Sequence, residues 1–164
     1  MAIIEASGTA RATGVVANIL PKPALHFKKL ALNAIVPSRA HEGDAGLDLH
    51  ALYNLILSPY ERRVVDTGIA VSIPRGFVGL VCPRSGLAAE YGVTIVNAPG
   101  IIDFGYTNAI KVILLNTGED DFVIKEGDRI AQLVVTPILE LVPVEVSKFE
   151  ITSRGDSGLG STGR

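Results

Sequence analysis

Two aspartates, Asp44 and Asp48, flank the small pair Ala45-Gly46 in the stretch HEGDAGLDLHA, a turn in which backbone can pass close to a ligand. Further on, PRSGLAAEYG sets Arg84 beside Ser85 at the start of a short run that reads as a helix, with Ser85 as its cap and Gly92 as its stop. Free backbone N–H groups at such a start, next to a guanidinium, form a seat for phosphate. An ordinary capped turn between two strands would look the same, and this segment alone does not separate the readings. Asp103, in APGIIDFGY, lies in a turn between apolar runs, where burial of its charge requires a partner. An acid there, close to a phosphate seat, suits a general base that orients a water, although turn aspartates also serve their own loops. Asn97, just before Pro99-Gly100, offers an amide to a base edge or simply to a turn. The last stretch, RGDSGLGSTGR, spaces Arg154, Ser161 and Thr162 with glycines that permit backbone nests, a clamp for a terminal phosphate. It is not a Walker loop, because no Gly-Lys-Ser/Thr occurs, and its RGD triplet is of a kind that arises often by chance.

The elements that must carry these groups are short. After residues 1–25, a small-residue-rich extension expected to be poorly ordered, the chain runs as Val- and Ile-rich segments broken by Pro and Gly. LDLHALYNLIL, ERRVVDTGIAVSI, FVGLVC, GVTIVN, NAIKVILLN, DFVIK and RIAQLVVTPILELVPVEV each read as strand. This texture predicts an all-β sandwich or jelly roll over residues 26–146, followed by a glycine-rich arm over 147–164, with the Ser85 segment as the one short helix. No alternation with long helical patterns occurs, which excludes doubly wound α/β folds.

Bulk composition narrows the partners. The 164 residues suffice for one domain with a sizeable core, and the net charge of −2 supplies no global basic field for nucleic acid. One cysteine, Cys82, and three histidines make neither an intrachain disulfide nor a zinc pattern, and a single Cys in a strand reads as a small hydrophobe. No apolar run is long enough to span a bilayer, and the N-terminus does not read as a secretion signal. The expectation is a cytoplasmic protein with no membrane or nucleic-acid partner.

Taken in order, AGLDLHA, PRSGLA, VNAPGIIDFGY, GDRIAQL and RGDSGLGSTG resemble the ordered motifs of the trimeric deoxyuridine triphosphatases, from about His26 to the last residue. The resemblance implies a homotrimer of jelly-roll (β-clip) subunits whose shared active sites hydrolyse dUTP to dUMP and pyrophosphate with Mg²⁺. That reaction keeps uracil out of DNA and supplies dUMP for thymidylate synthesis. Carried over residue by residue, Asp48 would hold the metal through water. Arg84, Ser85, Gly86 and Gln132 would bind phosphates. Asn97 and the hairpin running from Ile101, Ile102 and Asp103 to Lys111 would read uracil, and Tyr106 would lie against the deoxyribose. Asp103 would position and deprotonate the attacking water. The arm would close over a neighbouring subunit's site, with Arg154, Ser161 and Thr162 on the γ-phosphate and Leu159-Gly160 over the base.

Two departures from the family pattern matter. Leu159 stands where an aromatic residue usually stacks on uracil, and stacking is worth ~1–3 kcal/mol per base, so weaker capture with retained chemistry is expected. Thr107-Asn108-Ala109 replaces a frequent Arg-Gly-Glu after Tyr106, which bears on interface contacts only. The alternatives are a dCTP deaminase on the same scaffold and a non-catalytic nucleotide sensor. The first needs a glutamate in NAIKVILLN, where Ile113 occupies the corresponding place, and the second has no use for Asp103.

Overall fold

A computed structural model describes residues 24–150. In chain order the elements are β1 (His26–Lys29), β2 (Leu47–His50), β3 (Leu55–Leu57), β4 (Arg62–Asp66), β5 (Ile69–Ser72), β6 (Phe77–Cys82), α1 (Ser85–Tyr91), β7 (Val93–Ile95), β8 (Gly100–Ile102), β9 (Lys111–Asn116), β10 (Phe122–Ile124) and β11 (Arg129–Pro137). All pairings are antiparallel, in four sheets ordered β2-β11-β6-β8, β4-β9-β7, β1-β5 and β10-β3. The described residues are mostly β with one short helix, as the strand texture predicts.

Period-two burial decides which face each strand turns inward. β2 buries Leu47 and Leu49 while Asp48 and His50 stay partly exposed, and β9 buries Val112, Leu114 and Asn116. These faces meet in one core that includes Leu57, Val71, Ile73, Ile110, Ile124, Ile130 and Leu133. Gly79 lets β6 approach closely there: a Cβ at that position would lie 3.0–3.1 Å from Ile73, Ile102 and Leu133. Asn116 is the polar exception. Fully buried, it donates to the carbonyls of Leu57 (2.9 Å) and Asp120 (2.8 Å) and accepts from the Gly118 N–H (2.9 Å), so the loop after β9 is tied to the core.

Three expectations are corrected. LDLHALYNLIL divides into β2 and β3, in different sheets, and ERRVVDTGIAVSI divides into β4 and β5 at the Thr67-Gly68 turn, where Gly68 has φ 64 and a Cβ would strike Leu52 and Ala34. The last strand ends at Pro137 rather than continuing to Val146, and residues 138–150 have no regular structure. Leu139, Leu141, Val142 and Phe149 lie there at least 80% exposed. Among the described residues, no strand pairs with this apolar segment. Third, Ser85 is not the helix cap. Arg84 takes the N-cap position in an extended conformation, no side chain caps the helix, and Ser85 is its first residue. The predicted stop is correct, with Gly92 left-handed at φ 67.

Candidate phosphate cleft

At one end of the four-stranded sheet, three strands align a single row: Gln132 on β11 pairs with Asp48 on β2 and with Cys82 on β6. Pro83, Arg84 and Ser85 follow directly from Cys82, so the turn into α1 rises beside that row. The result is a cleft of about 320 Å³ bounded by Asp44, Gly46, Asp48, Arg84, Ser85, Gly86, Arg129 and Gln132. The sheet register, rather than sequence proximity, brings these groups together.

Asp48 is the electrostatic hub. Its side chain is 16% exposed and its two oxygens face Arg84 at 3.4 Å and Arg129 at 3.3 Å. Arg84 also donates to the Arg129 carbonyl at 3.1 Å, which locks the two basic residues to one another. One carboxylate therefore holds two guanidinium groups, and the cluster keeps a surplus positive charge beside the exposed Ser85 and Gly86. His50 lies next to it on β2, and burial lowers its pKa from the usual value; Asp48 opposes that shift and Arg129 and Arg84 reinforce it. Asp44, by contrast, serves its own turn: its carboxylate accepts from the His41 N–H at 2.9 Å. Cys82 is partly buried, and burial raises its thiol pKa, as suits an unreactive strand residue.

Arg129 is the site residue that sequence reasoning missed. It is three positions before Gln132, and residues so spaced on a regular strand face opposite ways. A bulge between Arg129 and Ala131 changes that count, so Arg129 pairs with His50 and Gln132 pairs with Asp48. His50 and Asp48 are two apart and share a face, and the bulge gives Arg129 and Gln132 the same relation. The signal in the sequence is GDRIAQL itself, which holds Arg129 as well as Gln132.

The remaining expected residues fall elsewhere. Asp103 and Tyr106 lie beyond the far end of β8, in a turn closed by the Tyr106 N–H to the Asp103 carbonyl at 3.2 Å. The Tyr106 hydroxyl donates to the Ala109 carbonyl at 2.9 Å, holding the loop in shape. Ile102 pairs with Gly79, and Cys82 lies three positions further along β6. Asp103 is thus four rows from the Asp48–Gln132–Cys82 row, roughly 13 Å along the strands. Ile101 is exposed on β8, Ile102 is buried beneath it, and Lys111 is exposed at the start of β9. Asn97 folds back near Gly100, with its amide nitrogen 3.3 Å from where a Cβ would be. None of these six residues lines the cleft. Arg154, Leu159, Gly160, Ser161 and Thr162 lie outside the described residues.

A family model described as dUTPase matches residues 32–163. The deoxyuridine 5'-triphosphate nucleotidohydrolase of Clostridium kluyveri is 46% identical over 139 residues, covering 85% of this chain and 97% of its own. A mutant of the Staphylococcus bacteriophage 80alpha dUTPase, solved with dUpNHpp, superposes with a TM-score of 0.81 at 32% identity, over 86% of this chain and 99% of that one. A mutant dUTPase from phage phi11 of S. aureus, whose structure details the coordination of a structural Mg(II) ion, superposes with a TM-score of 0.74 at 31% identity, over 78% and 99%.

Proposed function

The chain belongs to the dUTPase family, and from that premise we propose that it hydrolyses dUTP to dUMP and pyrophosphate, in active sites assembled between the subunits of a homotrimer of jelly rolls. The observation that carries the assembly is the separation just described. One chain holds a cleft suited to a polyanion and, roughly four rows of strand away, a turn carrying the carboxylate that would activate water. Neither half can hydrolyse a triphosphate alone. A cleft from one copy facing the Asp103 turn of another completes the site, and the exposed apolar residues 138–149 supply surface for such an association.

In the assembled site, Arg84, Ser85, Gly86 and Gln132 bind the phosphates, with the Ser85 hydroxyl near the α–β bridging oxygen. Asn97 and the main chain from Ile101 through Asp103 to Lys111 read uracil. A backbone reader of this kind rejects cytosine by mismatched hydrogen bonds and thymine by methyl volume. Tyr106, already fixed through its hydroxyl, lies against the deoxyribose and leaves no room for a 2′-hydroxyl. Asp103 positions a water and takes its proton as the water attacks phosphorus and the pyrophosphate leaves. Arg154, Ser161 and Thr162, on an arm comprising residues 147–164, bind the γ-phosphate. Leu159 and Gly160 cover the base less tightly than an aromatic would.

A divalent cation fits the donor set in one manner only. Among the described residues no group of three or more His, Cys, Asp or Glu side chains is placed to cage a metal. A hard cation carried mainly by phosphate oxygens and water would need just one further carboxylate, and Asp48 is the residue that would hold it, through water. When bound there, Mg²⁺ would supply charge neutralisation for the phosphates. Among the described residues no helix is long and apolar enough to cross a membrane, and we place the protein in the cytoplasm, where it would limit uracil in DNA and feed thymidylate synthesis.

The test is a panel of deoxynucleoside triphosphates with Mg²⁺, followed by pyrophosphate and ammonia. Pyrophosphate from dUTP alone is expected. Ammonia from dCTP, or no product from dUTP, would overturn the assignment.

A further inference from the structure

Gly46 poses a question that its backbone does not answer. Among the described residues six other glycines, including Gly43, Gly68 and Gly92, have positive φ, which favours glycine, but Gly46 is not one of them. Its φ does not call for glycine. What excludes a side chain is Gln132. A Cβ at position 46 would stand 2.2 Å from the Gln132 Oε1, 3.0 Å from its Cδ and 3.1 Å from its Cβ. The other end of the same amide is also engaged, because the Gln132 Nε2 donates to the Pro83 carbonyl at 3.0 Å. An amide flip is excluded, since a carbonyl can only accept.

We infer that Gly46 and Gln132 form an interlock that positions the phosphate-binding turn: the bare face of Gly46 seats the amide oxygen, which lets the amide nitrogen pin Pro83 and hence Arg84 and Ser85. With one N–H committed to Pro83, the second is left for the cleft that Gln132 lines. Gln132 is then a positioning residue as well as a phosphate ligand, and Gly46 acts only through it. This rests on the reading of the cleft as a triphosphate site.

The experiment is a double-mutant cycle on the full chain with Gly46→Ala, Gln132→Ala and both, read by dUpNHpp binding, by KM and kcat for dUTP and by thermal melting. Gly46→Ala is expected to weaken dUpNHpp binding about 10- to 100-fold, the loss of one charge-assisted hydrogen bond and a loosened turn, with KM rising more than kcat falls. Its melting temperature should hold, because the atom in the way is the end of a flexible side chain. In the Gln132→Ala background the same change should cost far less, since the atoms at 2.2 and 3.0 Å are gone and only the Cβ at 3.1 Å remains. Losses that multiply would show that Gly46 acts independently of Gln132 and would overturn the interlock, as would wild-type affinity in Gly46→Ala. If Gly46→Ala fails to fold, folding of the double variant supports the clash, and failure of both refutes it. A wild-type protein that binds dUpNHpp but does not hydrolyse dUTP would sink the functional assignment while leaving the binding cycle to decide the interlock.

Discussion

Replacing Asp48 by asparagine should tighten the binding of bare pyrophosphate even as it damages turnover. In the structure the Asp48 carboxylate sits against Arg84 at 3.4 Å and Arg129 at 3.3 Å, so it cancels one of the two positive charges facing the cleft. The asparagine side chain is nearly isosteric but neutral, and the cluster's surplus charge doubles. An anion hydrogen-bonded to Arg84 would lie roughly 6 Å from that carboxylate, where a unit charge at an effective dielectric between that of a protein surface and that of water is worth ~1–3 kcal/mol. Allowing for the half-exposed Arg129, whose share is screened, about tenfold tighter binding at low salt is the reasonable figure. Titration calorimetry with pyrophosphate in the presence of EDTA reads it directly, and the gain should shrink as salt is raised. Turnover of dUTP with Mg²⁺ should fall in the same variant, because the carboxylate that would hold the cation's water is missing. The two signs must oppose each other. Unchanged or weaker pyrophosphate binding would mean that Asp48 does not set the field of the cleft.

Other consequences are simpler. Asp103→Asn should abolish dUTP turnover while dUpNHpp binding stays within a few-fold of wild type; a loss of binding with normal turnover per occupied site would refute its role as base. Asn116→Ala should cost about 3 kcal/mol in urea unfolding, because it strands the carbonyls of Leu57 and Asp120 and the Gly118 N–H in or near the core, and a loss under ~1 kcal/mol would show that water replaces the side chain.

The strand content, the short helix and its Gly92 stop were legible because each depends on local chemistry: β-branched runs, turn residues and a left-handed glycine. The phosphate-side residues Asp48, Arg84, Ser85, Gly86 and Gln132 were legible as motifs, and the register of β2, β11 and β6 brings them to one row. What the sequence hid is non-local. Arg129 reaches the cleft only because of a bulge, and nothing in a period-two pattern announces an extra residue. Ser85 carries the residue type of a cap, but Arg84 is held by Asp48 and the Arg129 carbonyl, which fixes the chain so that Arg84 takes that place. LELVPVEV has the composition of a strand, yet it needs a neighbour that the described residues of one chain do not supply. Gly46 looked like a turn glycine, and its reason is the Gln132 amide across the sheet.

The claim that the cleft and the Asp103 turn meet only between copies can be tested by complementation. Arg84→Ala and Asp103→Asn should each be inactive alone. Co-expressed and purified as mixed trimers, they should regain about a third of wild-type dUTP hydrolysis, since one site of the three draws an intact Arg84 from one subunit and an intact Asp103 from another. Mixed oligomers that remain as inactive as either parent would contradict the shared site.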